Sequence, residues 1–445
     1  MKEVTHRYEK ITPESRANFS DDEGSLTGYN EPPPDKFNLA WLIFCLLGVG
    51  LLFPWNALLT AADYFATLYP KFAFSFALSL AYNWPSVIML LLTIRWGRNF
   101  SFTSRIVVGF TIDVIVQVMV PLINLDGVPY PVNLIVTLGG VFATGCATAM
   151  LFGTILGLAS MFPPTYITAV MSGNGVAGII AGGLRCITKG SLPNDMQTSS
   201  MIYFALSGFI LFLCIVGYFV LLRLPITKYY MAQSQKESGQ PKKGSINDSV
   251  DPVYSTDDEE IVAGASQQKK VHYFSLMKRI WREALVVFTI FFVSLSLFPG
   301  MTAQIHTATH SLSQEWFVIL MIFNFQIFDF IGRTLPKFFI LFSARWLWVP
   351  TFARCAFFAL FILCIKPLIF NHDAWYHVFM AIFALTNGYC GTLAMMYGPT
   401  NAKDHEKETA GAIMSFFLNF GIFLAAHFAI LLLYAVEGTL PWDSS

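Results

Sequence analysis

The sequence predicts an all-α protein that crosses a membrane many times. Hydrophobic residues make up 55% of the 445 residues and charged residues 13%, whereas a typical soluble domain has about 25% charged residues. Eleven apolar segments are each long enough to cross the hydrocarbon core of a bilayer as a helix. A segment inside a bilayer must satisfy its own backbone hydrogen bonds, and the sequence does not show the short alternating strands of a barrel. Each segment is therefore predicted to be a helix.

The eleven predicted helices fall into a group of six and a group of five. The first group covers 39–62, 73–94, 105–125, 131–158, 166–187 and 200–222. The second group covers 284–306, 314–335, 346–366, 376–398 and 409–434. The polar stretch between the groups is predicted to be disordered, because it has too few apolar residues to form a core. The predicted parts are a disordered tail at 1–38, a six-helix bundle at 39–222, a disordered linker at 223–283, a five-helix bundle at 284–434 and a short tail at 435–445.

Lysine and arginine residues lie mainly in the loops on one side of the predicted membrane. The linker and the loops on its side carry most of them, and the opposite side holds Lys71, Lys189 and Lys366. Because basic loops stay in the cytoplasm, the N-terminus and the 223–283 linker are predicted to be cytoplasmic. An odd number of helices then places the C-terminus outside the cell. The expected location is the plasma membrane.

The predicted helix at 314–335 carries three polar side chains within an apolar run. Gln326, Asp329 and Arg333 are spaced i, i+3 and i+7, so they lie on one face of the helix. A charged side chain that faces lipid is costly, so this face is predicted to point into the protein or into a water-filled cavity. The spacing alone leaves two interpretations open. The Asp329–Arg333 pair either binds a substrate between the two bundles or holds the bundles in register.

Other polar residues lie inside or at the ends of predicted helices. Arg354 is predicted to be a structural or gating partner of a carboxylate, either Asp329 or Asp113. Asp113 and Asp63 are candidates for proton coupling, and the alternative is that each is a hydrogen-bonded polar residue near a helix end. Asn83 lies close before a proline that kinks its helix. Its amide is expected either to line a cavity or to cap carbonyl groups that the kink leaves unbonded.

The sequence shows no signature of an enzyme or a metal site. The seven cysteines all lie in apolar segments without a CxxC spacing, and the histidines do not cluster. No disulfide, metal or cofactor is therefore expected. Paired catalytic acids and a nucleophile beside a base are not visible either. A membrane-embedded receptor or enzyme stays an alternative that no motif supports, and no nucleic-acid partner is expected.

Five motifs follow one another along the chain. They are Phe53-Pro54-Trp55-Asn56, Met171-Ser172-Gly173-Asn174-Gly175, Leu297-Phe298-Pro299-Gly300, Phe328-Asp329-Phe330-Ile331-Gly332-Arg333 and Leu385-Thr386-Asn387-Gly388-Tyr389. Each motif is weak alone, but the ordered set resembles the equilibrative nucleoside transporter family, and its plant and protozoan members in particular. The resemblance implies an eleven-helix fold related to the major facilitator superfamily. It also implies facilitated movement of purine and pyrimidine nucleosides, or of nucleobases in some members.

The resemblance further implies which residues bind the substrate. The family has an acid and an arginine in its eighth helix as substrate-site residues, and these correspond to Asp329 and Arg333. Gln326 stands where many members have Asn. The tryptophan that lines the family's site in the first helix corresponds to Trp55, and the phenylalanine of the seventh helix corresponds to Phe298.

Phe152 departs from the family pattern. It stands where many members have a glutamine that contacts the base, ahead of Gly157-Leu158-Ala159. A phenylalanine cannot make the hydrogen bond that the amide makes to the edge of the base. The preference between purines and pyrimidines, and between nucleosides and nucleobases, is therefore left open.

The predicted function is transport of nucleosides by alternating access, either equilibrative or proton-assisted. A nucleoside joins a flat aromatic base to a ribose with vicinal hydroxyls, so its site needs a stacking surface and fixed hydrogen-bond partners. Trp55 and Phe298 offer the surface, while Asp329 and Arg333 offer an acceptor and a donor. A nucleobase transporter of the same fold is the alternative. The expected partners are the nucleoside or nucleobase, the lipid bilayer and, in the proton-assisted case, a proton.

Overall fold

The computed structural model shows two groups of helices. The residues it describes are 31–69, 74–123, 129–192, 195–238, 271–302, 305–307, 314–365, 370 and 372–437. Within these ranges every regular element is a helix or a helical turn, and ten helices are long and apolar enough to cross a membrane. The predicted all-α membrane architecture is confirmed.

The helices follow the predicted order of two bundles. The first group consists of α1 (Leu39–Thr60), α2 (Ala62–Leu68), α3 (Phe74–Trp96), α4 (Phe102–Ile123), α5 (Tyr130–Ser160), α6 (Pro164–Ser191) and α7 (Met196–Arg223), and α8 (Pro225–Ser238) follows it. The second group consists of α9 (Tyr273–Leu297), α10 (Gln314–Thr334), α11 (Trp348–Ala353), α12 (Ala356–Leu363), α13 (Asp373–Thr400) and α14 (Lys407–Glu437). We call α1 to α7 the N-bundle and α9 to α14 the C-bundle.

The segment predicted as one helix at 346–366 is broken. It forms α11 and α12 on either side of a turn at Arg354 and Cys355. At this turn the backbone uses i→i+3 hydrogen bonds, as when the N–H of Phe357 donates to the carbonyl of Arg354. Trp348–Leu363 is apolar but shorter than the ten long helices. Within the described ranges, ten long helices are therefore found where eleven continuous spans are predicted, and the segment at 346–366 is the difference.

The disorder predicted for the 223–283 linker is wrong for its first part, which forms α8. Ile226 of α8 is buried, and the ring of Tyr230 packs against Phe162 with 5.0 Å between ring centroids. The sequence does not reveal this helix because few apolar residues hold it, and its stability comes from tertiary packing. Residues 239–270 lie outside the described residues.

The last part of the predicted linker is also helical, because α9 begins at Tyr273 and not at 284. Leu276, Ile280 and Ala284 are spaced one turn apart and are all buried. The basic residues between them lower the average hydropathy of this turn of helix. Hydropathy therefore marks where the apolar part of the helix begins and not where the helix itself begins. The other end also differs, because α9 ends at Leu297 and the prediction extends to 306.

The end of the predicted disordered tail at 1–38 is ordered. The Asp35 carboxylate accepts hydrogen bonds from the backbone N–H groups of Ala40 and Trp41, at 3.0 and 3.1 Å. These N–H groups at the start of α1 have no partner within the helix, so the carboxylate caps it. Residues 1–30 and 438–445, which hold most of both predicted tails, lie outside the described residues.

The two bundles share one apolar core over the half of the molecule that is predicted to be cytoplasmic. This core joins residues of the N-bundle to the first half of α9, the second half of α13 and the first half of α14. A separate apolar cluster belongs to the C-bundle alone and includes Phe298, Phe325 and Phe383. The bundles are therefore packed together at one end.

Polar and glycine contacts join the bundles at the same end. Arg105 of α4 forms a salt bridge with Glu408 of α14, with 2.9 Å between guanidinium nitrogen and carboxylate oxygen, and donates to the Thr154 hydroxyl of α5 at 3.3 Å. Close by, Gly411 of α14 lies so near α5 that a Cβ atom would collide with Ser160. These contacts close the space between the bundles at the predicted cytoplasmic end.

Candidate functional site

The helix α10 brings Asp329 and Arg333 together inside the protein. Arg333 Nε donates to Asp329 Oδ2 at 2.6 Å, and both side chains are buried, Asp329 being 3% exposed. The predicted ion pair is confirmed, and its helix face points into the protein and not to lipid. Two opposite charges are thus held in contact away from solvent.

A chain of hydrogen bonds extends from the other oxygen of Asp329. The amide of Asn387 on α13 donates to Asp329 Oδ1 at 2.7 Å, and the Ser294 hydroxyl of α9 donates to Asn387 Oδ1 at 2.6 Å. Arg354 in turn donates to the Ser294 oxygen at 2.6 Å. These bonds fix the orientation of the carboxylate. Each oxygen of Asp329 can accept a further hydrogen bond, because a carboxylate has about four acceptor positions.

Sequence reasoning missed Ser294 and Asn387 as members of this cluster. Asn387 carried a signal, because it lies in one of the five motifs and is polar within an apolar run. Ser294 carried none, since serine is common in membrane helices and usually bonds to its own backbone.

Arg354 lies at the break between α11 and α12 and is 1% exposed. Besides Ser294, it donates to the Phe383 carbonyl at 2.7 Å and to the Thr386 hydroxyl. The prediction that it pairs with a carboxylate is wrong, because within the described part of the chain its partners are neutral oxygens. The turn directs its side chain toward α13, so that it reaches Asp329 through Ser294 and Asn387.

Glycine residues allow α10 and α13 to cross closely beside Asp329. A Cβ atom on Gly388 would collide with the backbone of Asp329, and one on Gly332 would collide with the carbonyl of Leu385. This close approach lets the short side chain of Asn387 reach Asp329. The structure therefore gives a physical reason for the glycines in two of the five motifs.

The polar face of α10 borders the N-bundle. The helix α6 packs on α10 through Gly175 and Gly178. A Cβ atom on Gly178 would collide with the amide of Gln326, and one on Gly175 would lie 3.2 Å from Arg333 Cδ. Gln326, Asp329 and Arg333 thus lie where the two bundles meet.

The two aromatic residues predicted to stack on a substrate differ in exposure. Trp55 of α1 is half-buried and packs against Tyr82 of α3, with 4.5 Å between ring centroids and 35° between ring planes. Phe298 is 7% exposed and stacks on Phe325 of α10, with 3.9 Å between centroids and 8° between planes. Trp55 therefore has surface left for a ligand, whereas Phe298 has almost none in this conformation.

Asn83 and Phe152 make contacts that do not involve Asp329. The Asn83 amide donates to the Ser79 carbonyl one turn earlier in α3, at 2.9 Å. Phe152 is buried in the shared core, where its backbone carbonyl accepts a hydrogen bond from Ser415 of α14 at 3.3 Å. A substrate contact for either residue stays a prediction.

Asp113 of α4 is buried in the N-bundle, close to the α1 motif. The Thr148 hydroxyl of α5 donates to Asp113 Oδ2 at 3.5 Å. One turn later on α4, the amide of Gln117 donates to the Pro54 carbonyl at 3.2 Å. Asp113 therefore lies on the stretch of α4 that packs against the Pro54-Trp55 part of α1. The side chain of Asp63 lies outside the described residues.

A cavity of about 320 Å³ lies at the predicted cytoplasmic end and not at Asp329. Phe162 and Ile167 of the N-bundle, Tyr230 of α8, and Met396 and Lys407 of the C-bundle are among its lining residues. Because both bundles line the cavity, its shape depends on how they pack at this end.

The chemistry available around Asp329 is hydrogen bonding and charge. Among the side chains that the structure describes, no group of three or more His, Cys, Asp or Glu residues is placed to hold a metal ion. The cysteines in the described ranges are free thiols.

The sequence matches a known family and known relatives. The model of the family described as "Nucleoside transporter" matches residues 138–434. The Equilibrative nucleotide transporter 1 of Arabidopsis thaliana is 29% identical over 420 residues, which cover 92% of this chain and 89% of the relative. The Equilibrative nucleoside transporter 1 of Homo sapiens is 30% identical over 451 residues, which cover 90% of this chain and 98% of the relative.

The fold is similar to that of solved transporters. The proton:xylose symporter XylE of the major facilitator superfamily aligns with a TM-score of 0.60 at 12% identity, covering 91% of this chain and 90% of that one. At this identity the likeness shows the fold alone, and it confirms the predicted major-facilitator-like architecture. The sequence matches show more than the fold: this chain belongs to the nucleoside transporter family.

Proposed function

We propose that this protein carries nucleosides across a membrane by alternating access. The observation that carries the proposal is the buried Asp329–Arg333 pair, oriented by Asn387, at the contact between the two bundles. Carriers built from two bundles bind their substrate between the halves. The relatives named above are equilibrative nucleoside and nucleotide transporters.

The cluster around Asp329 has the groups that a ribose needs. The vicinal hydroxyls of a ribose would donate to the acceptor positions that Asp329 has left, and the guanidinium of Arg333 would donate to an oxygen of the nucleoside. Because Asn387 already orients the carboxylate, little side-chain entropy is lost on binding. The accessible surface of Trp55 is suited to stacking on the base.

The packing of the bundles supports alternating access. The Arg105–Glu408 salt bridge and the Gly411 contact close one end. Toward the other end of α6, a Cβ atom on Gly182 or Gly183 would have nothing within 4 Å. In the orientation that the basic loops predict, this is a carrier closed to the cytoplasm. Opening to the cytoplasm would require the Arg105–Glu408 pair to break and α5 to separate from α14.

The proposed orientation has the N-terminus and the 223–283 segment in the cytoplasm and the C-terminus outside, in the plasma membrane. Arg279 at the start of α9 supports it, because Arg279 pairs with Glu406 and Arg105 pairs with Glu408 two residues later, so both basic residues lie on the same side. An epitope placed after Ser445 should then be labelled by antibody on intact cells. Labelling only after the cells are permeabilised would contradict the proposed orientation.

Transport of nucleobases is the second candidate, and Phe152 is the observation that favours it. Phe152 is an apolar residue where many family members have an amide for the base edge. A site without that amide would recognise the base more by shape and stacking than by hydrogen bonds. A nucleobase has no ribose, so this candidate gives Asp329 no diol to bind.

Uptake of labelled inosine by cells that lack their own nucleoside carriers tests the proposal. We expect saturable uptake that unlabelled nucleosides inhibit more strongly than hypoxanthine does, with the inosine recovered chemically unchanged. The Asp404→Asn variant is a control, because Asp404 is an exposed acid whose pairing with Lys407 contributes little. Uptake of hypoxanthine that inosine does not inhibit would favour the nucleobase carrier. If the native chain takes up no inosine at the cell surface, the proposal is wrong.

Whether a proton gradient contributes energy to transport depends on a titratable group outside the binding site. Transport down the nucleoside gradient alone needs no group beyond the binding site. Transport linked to a proton needs a titratable group, such as a carboxyl group, that can bind a proton in one conformation and release it in the other.

A further inference from the structure

Asp113 is a buried carboxyl group that the proposed nucleoside site does not use. It lies near the middle of α4 and is 0% exposed. Its Oδ2 atom accepts the hydrogen bond from Thr148 at 3.5 Å, a long contact, and its Oδ1 atom has no partner within the described part of the chain. The group is thus held loosely compared with Asp329.

Neutral side chains face Asp113 from the neighbouring helices. The helix α5 presents the hydroxyls of Thr144 and Thr148, which are one turn apart, and α3 presents the phenol of Tyr82. On α4 itself, the amide of Gln117 is engaged with α1 and not with the carboxyl group. Each of these groups can donate or accept a hydrogen bond, and none carries a positive charge.

Cations are absent from the described surroundings of Asp113. The helix α7 packs on this part of α4 through Gly208, which faces Val118. Arg105 is the basic residue of α4, but it lies two turns earlier and pairs with Glu408. A carboxylate at Asp113 would therefore be a buried charge without a counterion.

This environment suits the protonated form of Asp113. An ionised carboxylate loses its hydration on burial, and here no cation compensates for the loss. A neutral carboxyl group needs one acceptor for its O–H and a donor for its carbonyl oxygen, and a threonine hydroxyl can act as either. A protonated Asp113 therefore fits its surroundings better than an ionised one while the bundles are closed at the predicted cytoplasmic end.

Asp113 is connected to the wall of the nucleoside site. The Tyr82 hydroxyl lies beside Thr148 and Asp113, and the Tyr82 ring packs on Trp55 at 4.5 Å. A change of charge at Asp113 would act on the hydroxyl of Tyr82, and through its ring on Trp55. One residue, Tyr82, thus lies between the carboxyl group and the stacking surface.

We propose that Asp113 binds and releases a proton that moves together with the nucleoside. The inference rests on the proposed nucleoside transport. When the bundles separate at the cytoplasmic end, water reaches the carboxyl group and its O–H bond breaks. The proton passes to water, and the carboxylate keeps the electron pair and becomes hydrated. The empty carrier then turns to the other side of the membrane, where the carboxylate takes up the next proton, because an unpaired charge is costly to keep buried.

Proton movement can be measured directly in liposomes that contain the purified full-length chain and a pH-sensitive dye. Addition of inosine outside should acidify the lumen, and a protonophore should abolish the signal. The Asp113→Asn variant should give no inosine-dependent acidification. It should still exchange labelled for unlabelled inosine, because exchange does not require release of the proton. The Asp113→Glu variant should restore the proton signal, and Asp404→Asn should behave like the native chain.

The same variants separate the outcomes in cells. Native uptake of inosine should rise as the medium becomes more acidic, and Asp113→Asn should lose this dependence. Native uptake that is unaffected by pH and by the protonophore would overturn the proton site but leave nucleoside transport standing. Acid stimulation of Asp113→Asn equal to that of the native chain would also overturn it. If Asp113→Asn does not reach the membrane, the dye signal of the native chain and of Asp113→Glu decides the question.

Discussion

Asp329 and Asp113 are two buried carboxyl groups, one in each bundle, with opposite surroundings. Asp329 has a guanidinium nitrogen at 2.6 Å on one oxygen and an amide at 2.7 Å on the other. Asp113 has a hydroxyl at 3.5 Å on one oxygen and no described partner on the other. A fixed cation and a fixed amide donor suit a group that binds a substrate in a constant geometry. Neutral partners suit a group whose charge changes during the transport cycle.

The largest effect is expected from making Asp329 resemble Asp113. Arg333→Leu leaves the Asp329 carboxylate buried without its cation, which should lower the free energy of unfolding by about 3–5 kcal/mol. The double variant Asp329→Asn with Arg333→Leu should recover much of this loss without recovering uptake. Thermal unfolding of the purified chain in detergent measures both. Unchanged stability of the single variant would show that the pair is not held as described.

A second effect follows from the close crossing of α10 and α13. In Gly388→Ala, the added methyl group meets the backbone of Asp329, so the helices must move apart and Asn387 loses its hydrogen bond. Such overpacking costs about 1–3 kcal/mol in stability. Inosine uptake per molecule at the surface should fall as well. Gly182→Ala is the matched control, because its methyl group would meet nothing within 4 Å, and it should leave both measurements unchanged.

Ser294→Ala should separate Arg354 from Asn387. The variant leaves a buried guanidinium with one partner fewer, which costs about 1–3 kcal/mol. Because Asn387 then holds Asp329 less firmly, the KM for inosine should rise, and Ser294→Thr should restore it. Ser296→Ala is the control on the same helix, since Ser296 donates to the Phe292 carbonyl of its own helix. Equal KM values for the two alanine variants would remove the positioning role of Ser294.

The smallest effect is expected at Thr148. Thr148→Val removes one hydroxyl beside Asp113, and a hydrogen bond between neutral groups contributes about 0.5–1.5 kcal/mol. The loss in stability should therefore be smaller than in Ser294→Ala. A loss of the same size or larger would mean that Thr148 stabilises a charged carboxylate. Asp113 would then resemble Asp329 in the native state.

The sequence predicts those parts of this account that depend on one helix. The spacing of Asp329 and Arg333 places them one turn apart, so their pairing needs no knowledge of other helices. Hydropathy locates the long helices because each must satisfy its backbone within lipid. The glycines of the motifs are visible in the sequence, but their partners, such as Asp329 for Gly388, are not.

The parts that sequence reasoning misses depend on how helices meet. The sequence predicts that Arg354 faces a carboxylate, but it donates to Ser294 and Phe383 because α9 and α13 pack around the break between α11 and α12. The helix α8 was missed because its contact with Phe162 exists only in the folded protein. Such contacts carry no local periodicity, so composition and spacing cannot reveal them.

The role of Asp329 is tested most directly by comparing inosine with 2′,3′-dideoxyinosine, which lacks both ribose hydroxyls. Initial rates of uptake are measured for the native chain and for Asp329→Asn at equal amounts on the cell surface. The native chain should favour inosine by at least about tenfold in kcat/KM, the equivalent of one good hydrogen bond, and Asp329→Asn should lose inosine uptake. Equal transport of the two compounds by the native chain, or native rates of inosine uptake by Asp329→Asn, would contradict the account.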